Sequence, residues 1–244
     1  MTQKFGPSSE SPPRGTTIVV LQPGYLPWLG FFDQLHRADV FVYYDDVQYD
    51  KNGWRNRNRI KTQSGPLWLT VPVLHSGTGF AKILDVEIDR RTPWARKHLA
   101  SVRQAYARAP FVDRYLPELE TLLQREWTHL VDLDLACVDL MARWLHLQPR
   151  IERSSRLGIN GDRSERLVNI CRHFGATTYV SGDAAQTYLD VELFARHGIA
   201  VEWQRYTHPV YPQQHGAFVP YLSALDLLLN CGDEAPLIAF PGIR

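Results

Sequence analysis

The chain has 244 residues, 44% of them hydrophobic and 22% charged, enough apolar material to bury the core of one large domain. Its 27 Lys and Arg against 26 Asp and Glu leave a formal charge of +1, which excludes the global field that draws a protein to nucleic acid or an anionic membrane, so any anion site must be local. Three scattered cysteines, Cys137, Cys171 and Cys231, form no CxxC pair and are too few for a disulfide framework or a structural zinc site, which fits a reducing, cytoplasmic compartment.

Residues 1–15, MTQKFGPSSESPPRG, hold Pro, Ser and Gly but no apolar h-region, and read as a disordered tail rather than a secretory signal. TTIVVL (Thr16–Leu21) is a β-branched strand ended by QPGYLPW, whose Pro23, Gly24 and Pro27 stop both strand and helix. Trp28–Ala38 places Trp28, Phe31, Phe32 and Leu35 at helical spacing before a second strand, Val40–Tyr44, giving a βαβ unit that should be parallel and right-handed. Trp54–Lys61 and Leu67–Leu74, around a turn at Gln63–Pro66, predict an antiparallel hairpin, and Ile83–Ile88 a further short strand. Thr92 as N-cap and Pro93 in the first turn open a helix over Trp94–Ala109. More helix follows, and Leu133, Ala136, Cys137, Leu140, Met141, Trp144 and Leu145 make one apolar stripe, so Cys137 is core. Helix Ser164–Phe174, strand Thr177–Val180, helix Gln186–His197, strand Ala200–Gln204 and helix Leu222–Asn230 complete the pattern. The predicted fold is α/β: a mostly parallel Rossmann-like sheet with an antiparallel hairpin and a helical insertion at about 92–148, inside one domain of residues 16–244. A two-domain alternative divides near Pro149. No run reaches the roughly 20 apolar residues of a membrane helix, so membrane insertion is not expected; a homo-oligomer stays open.

The densest cluster of unusual residues is DDVQYDKNGWRNRNRIK, Asp45–Lys61. On a strand, Arg55, Arg57, Arg59 and Lys61 share one face and Trp54, Asn56, Asn58 and Ile60 the other. Four cations on one face suit an anionic small molecule such as a nucleotide sugar. They also suit a solvated edge strand paired with Asp45, Asp46 and Asp50. Asp46 follows an apolar strand, where parallel sheets place ligands, and is a candidate acid or base. The loop QPGYLPWLG lacks GxGxxG and GxxxxGK[ST]; Tyr25 and Trp28 could instead stack on a ring while Gln22 reads an edge, or the loop could be an aromatic plug. His208, in THPVYPQQHGAF after a strand, is the candidate general base, with His215 as alternative, and Tyr211 and Gln213 as substrate contacts. Asp226, inside an apolar helix, needs a structural or catalytic partner, and Ser181 lacks a GxSxG elbow. Neither a metal site nor a cofactor is expected, since no carboxylate-rich loop or HExxH supplies ligands. Nucleic-acid binding through the Arg strand with Trp54 and Trp68 is opposed by the near-neutral charge.

These segments resemble the WbqC-like family, associated with bacterial O-antigen and other surface-polysaccharide gene clusters. The likeness runs from Ile18 to Gly232 through LQPGYLPWLGFFDQLHRADVFVYYDDVQYDKNGWRNRNRIK, WLTVPV, RLVNICRHFGATTYVSG and YTHPVYPQQHGAFVPYLSALDLLLNCG. Gln22, Pro23, Tyr25, Pro27, Asp46, Trp54, Arg57, Asn58, Arg59, Pro72, Gly182, His208, Tyr211, Gln213, Ser223, Asp226 and Gly232 look like the family's motif positions. The resemblance implies surface-glycan or nucleotide-sugar modification, with acyl or aminoacyl transfer to an amino sugar as one reaction and a non-catalytic scaffold as the alternative. A more distant likeness to nucleotidyltransferases with a proline-containing ATP loop stops at Trp28–Phe31, where their two histidines are absent.

Overall fold

A computed structural model of the chain describes residues 15–51, 53–74 and 81–242. All but the last residue of the predicted 1–15 tail lies outside the described residues. The strands are β1 (Thr16–Leu21), β2 (Val40–Tyr43), β3 (Arg57–Thr62), β4 (Gly65–Thr70), β5 (Arg150–Arg153), β6 (Ala176–Ser181) and β7 (Ala200–Trp203). The helices are α1 (Leu29–Arg37), α2 (Trp94–Ala105), α3 (Val112–Leu123), α4 (Leu130–Trp144), α5 (Arg163–His173), α6 (Val191–Arg196), α7 (Leu225–Cys231) and α8 (Ala235–Ala239).

Five strands form one parallel sheet in the order β5-β2-β1-β6-β7, and β3 and β4 form a separate antiparallel hairpin, as the sequence predicts. The apolar runs of β1 and β2 follow from burial on both faces. Ile18, Val20, Val40 and Val42 pack with Leu167, Ile170 and Phe194 on the α5 and α6 side. Val19, Phe41 and Tyr43 pack with Phe32, Leu119 and Leu133 on the side of α1, α3 and α4. Cys137 and Cys171 are buried, one on each side.

Local chemistry moves several boundaries. Ile83–Ile88 is not a strand: a 3₁₀ turn occupies Ile83–Asp85, because the Ile83 and Leu84 N–H groups donate to the Val47 and Asp45 carbonyls. The helix predicted over Gln186–His197 is broken, since the Asp190 carboxylate accepts from the Leu193 N–H at 2.9 Å and starts α6 at Val191. α7 begins at Leu225 rather than Leu222, because Ser223 and Ala224 spend their N–H groups on the Arg59 and Pro27 carbonyls. Thr92 does not cap α2 with its side chain, and that helix ends at Ala105. Asp162 and Glu165 form a capping box that starts α5. β5, RIER, was not foreseen; it pairs with β2 from Val40↔Arg150 to Tyr43↔Arg153.

The loop after β1 approaches the segment before β3 so closely that a Cβ on Gly24 would lie 2.9 Å from the Trp54 carbonyl oxygen. Its neighbour Tyr25 donates its N–H to the Arg55 carbonyl at 3.1 Å. Gly24→Ala is therefore expected to push the two segments apart and cost about 1–3 kcal/mol, read as a lower urea midpoint; an unchanged midpoint would mean the backbone there yields freely.

Candidate substrate site

In the order β5-β2-β1-β6-β7 the chain leaves β1 toward β2 on one side and β6 toward β7 on the other, so the sheet's switch point lies between β1 and β6. Two adjoining hollows of about 470 and 480 Å³ open there, at the carboxyl ends of those strands. They share Leu21, Gln22, Gln34, Gly182 and Ala184. One is walled by Trp28, Trp54, Tyr206 and Tyr221 with Arg55 and Asn58. The other is walled by Tyr44, Tyr179 and Tyr188 with Val20, Leu167 and Ala185.

The loop QPGYLPWLG is shaped by what it buries. Tyr25 and Leu26 are fully buried, and Asn58 Nδ2 donates to both their carbonyls, at 3.3 and 2.8 Å. The Tyr25 hydroxyl meets His98 Nδ1 at 3.0 Å. Tyr25 is thus an anchor of the loop and not a stacking platform. Trp28 instead lines the hollow: its ring meets Tyr206 and Tyr221 edge-on at 5.2 and 5.6 Å, and lies where a Cβ on Gly30 would be 2.1 Å away, so only glycine fits beneath it. Arg55 Nη1 donates to Gln22 Oε1 at 2.7 Å. Behind the wall, Gln204 Nε2 donates to the Gly30 carbonyl and Asp33, and Gln204 Oε1 accepts from Gln34 Nε2 at 2.8 Å.

Residues 22–238 match the model of the WbqC-like protein family. The chain belongs to that family. It is also 38% identical over 221 residues, 90% of this chain and 95% of the relative, to the uncharacterized protein Rv1507c of Mycobacterium tuberculosis (strain ATCC 25618 / H37Rv). No solved structure matches it.

Of the WbqC-like motif positions, Gln22, Pro27, Trp54, Asn58 and Gly182 line the Trp28 hollow. The cations divide. Arg55 lies before β3 and lines the hollow; Arg57 sits over the Trp68 ring at 4.5 Å; Arg59 lies near Trp54 and Trp68 at 5.9 and 5.5 Å, with Nη2 on the Tyr221 carbonyl at 3.2 Å. Lys61 is buried, its Nζ donating to Gln213 Oε1 and to the Gly216 and Ala217 carbonyls. The four therefore do not form one cationic face, because β3 starts only at Arg57 and the 213–217 loop covers Lys61. Two of the three acids take other partners than the predicted ones, Asp45 pairing with Arg153 at 2.7 Å and Asp46 with Arg166, while Asp50 pairs with Arg55 at 4.0 Å as predicted. Burial raises the Asp46 pKa, but hydrogen bonds from Arg166 and Ser154 outweigh it and hold the carboxyl below its usual range.

The remaining candidates stand one layer back. His208 meets the hollow's Tyr206 and Tyr221 at 5.9 and 5.3 Å but does not line the hollow itself. The Pro209 carbonyl only accepts, so His208 Nδ1 carries the proton and Nε2 is left as a buried lone pair without a partner among the described residues. Burial pushes its pKa below the ordinary histidine value, against the pull of Pro209. His215 Nε2 is spent on the Ala105 carbonyl at 2.6 Å. Asp226 is fully buried and accepts from the Tyr106 hydroxyl at 2.7 Å, Gln213 Nε2 at 2.8 Å and Tyr211, which ties Tyr211 and Gln213 to it rather than to a hollow. Ser181 is buried beside the tyrosine-lined hollow.

Gln34, Gln204, Tyr206 and Tyr221 were not foreseen. Only Gln34 carries a signal, an amide three residues after Phe31 on the apolar face of α1. Among the described residues no group of three or more His, Cys, Asp or Glu could hold a metal ion, and no helix is long and apolar enough to cross a membrane.

Proposed function

We propose that this WbqC-like protein is a cytoplasmic enzyme of surface-polysaccharide assembly that binds a phosphate-linked amino sugar in the Trp28–Trp54 hollow. One observation carries this reading: aromatic faces, side-chain amides and Arg55 line one hollow at the sheet's switch point, where the nearby Asp183 carboxylate is engaged by the Arg205 N–H and Gln186 Nε2. Indole and phenol rings pack on the apolar face of a pyranose, amides read its hydroxyls, and a guanidinium suits its phosphate. The reaction is transfer of an acyl or aminoacyl group. The sugar amine attacks the carbonyl of an activated ester or thioester, the C–N bond forms as the bond to the leaving group breaks, and the amine's proton leaves with that group. The His208 Nε2 and Tyr206 hydroxyl, both without partners among the described residues, are the groups available to carry that proton.

The second reading is a binding protein that organises other glycan enzymes. It is favoured by the absence of His208, Asp46 and Asp226 from the lining of either hollow. Thermal shifts with uridine, thymidine and guanosine diphosphate sugars and glucosamine 1-phosphate test the site itself, since a ligand at 100 times its Kd stabilises by about 2.7 kcal/mol. Trp54, 42% exposed, lines the hollow without being needed for the core. Trp54→Ala is expected to weaken binding about tenfold while leaving the melting temperature of the free protein unchanged. A ligand that binds Trp54→Ala as well as the parent chain would move the site elsewhere.

A further inference from the structure

The tyrosine-lined hollow has a largely apolar wall, with the exposed Arg163 and Tyr188 among its lining residues and its buried polar groups already paired. Tyr179 bonds Ser181, Tyr44 bonds Arg166, and Ser164 Oγ accepts from the Asp190 N–H at 3.0 Å. A nucleobase buried against this wall, away from Gln22 and Gln34, would leave its own edge unpaired, each orphaned group lowering affinity about tenfold or more. A hydrocarbon would lose nothing.

The junction with the other hollow is different, because two amides there have fixed orientations and one unused end each. Arginine only donates, so Gln22 turns its oxygen to Arg55 and keeps its NH₂ group. The Gly30 carbonyl and the Asp33 carboxylate accept, so Gln204 turns its NH₂ to them and its oxygen to the NH₂ of Gln34. Gln34 Oε1 is what remains. Neither it nor Gln22 Nε2 has a partner among the described residues, and both side chains line both hollows. The junction therefore offers one donor and one acceptor.

Resting on the amino-sugar reading above, we infer that this junction recognises a secondary amide, so that the site is built for an N-acylated amino sugar whose acyl group is longer than acetyl. The amide carbonyl accepts from Gln22 Nε2 and its N–H donates to Gln34 Oε1. The sugar lies against Trp28 and Trp54, and the acyl chain fills the tyrosine-lined hollow of about 470 Å³.

Calorimetric titration of the full chain with N-acetyl, N-butanoyl and N-hexanoyl glucosamine 1-phosphates, the free amine and the matching esters tests this. Affinity should rise about threefold for each added methylene and fall about tenfold when an ester removes the N–H. Tyr188 is 70% exposed and lines only this hollow, so Tyr188→Ala should fold normally and reduce the gain per methylene. Equal affinity for all three acyl lengths, with the free amine still bound, overturns the inference and leaves the amino-sugar reading standing. No binding of any glucosamine 1-phosphate overturns both.

Discussion

Asp226→Ala is expected to cost about 3–5 kcal/mol of folding stability, the scale seen when one member of a buried charged network is removed. The carboxyl sits on α7 with no exposure and is the acceptor for Tyr106, Tyr211 and Gln213. Gln213 in turn accepts from Lys61, whose ammonium is buried under the 213–217 loop. Alanine would orphan three donors at once and leave that ammonium without the carboxylate's field. Burial raises the Asp226 pKa, opposed by the three hydrogen bonds and by Lys61, so the proton it tends to hold and the donors it accepts from compete for the same lone pairs. Asp226→Asn keeps an acceptor for one partner but turns an NH₂ toward another, and should fall between the two. Urea midpoints followed by circular dichroism give the ranking. If the alanine variant stays within about 0.5 kcal/mol of the parent, a size ordinary for surface changes, yet binding of glucosamine 1-phosphate is lost, Asp226 serves the ligand and the structural account of it is wrong.

The same residue shows where sequence spacing stops informing. A carboxylate on an apolar helix demands a partner, but nothing in the spacing points to Tyr106 or Lys61, 120 and 165 positions away. The parallel core was legible for the opposite reason. β1 and β2 are buried on both faces, so their Val, Ile and Phe runs declare themselves without knowledge of neighbours, and α4 repeats its stripe over four turns. β5 was hidden because Arg150–Arg153 is a polar edge strand, made a strand only by pairing with β2. The period-two argument for the arginines assumed that the strand began at Trp54, so that all four cations shared one face open to an anion or to solvent. In fact Trp54 and Arg55 precede β3 and reach the hollow together with Asn58 of the strand, while Lys61 does not. Gln22, Trp28 and Asn58 could be picked out because they lie in two segments rich in rare residue types. Tyr206 and Tyr221 arrive from the far end of the chain, and their packing on Trp28 is a tertiary fact.

Asp134 carries the other large effect. It lies on α4 without exposure, and neither carboxyl oxygen has a hydrogen-bond partner among the described residues. Burial pushes its pKa well above the ordinary aspartate value, with the charge of Arg55 opposing. The folded chain therefore holds a proton that the unfolded chain releases near pH 4. A folded pKa raised above the unfolded one means a contribution fully present below the unfolded value and lost as pH rises through the folded value. Asp134→Asn keeps the shape and removes the titration. The variant should gain on the parent by about 1.4 kcal/mol for each pH unit between those two pKa values, and the gap should stop widening above the higher one. Urea midpoints of both chains from pH 4 to pH 9 would show it; a gap that does not change with pH would mean that Asp134 is ionised and paired. The proton also matters to the hollow. Arg55 feels the charges of both Asp50 and Asp134, and a neutral Asp134 leaves more of its positive field for a phosphate beside Gln22. The affinity of Asp134→Asn relative to the parent should accordingly rise as pH passes through the Asp134 transition, the titration of the ligand's own phosphate cancelling in that ratio.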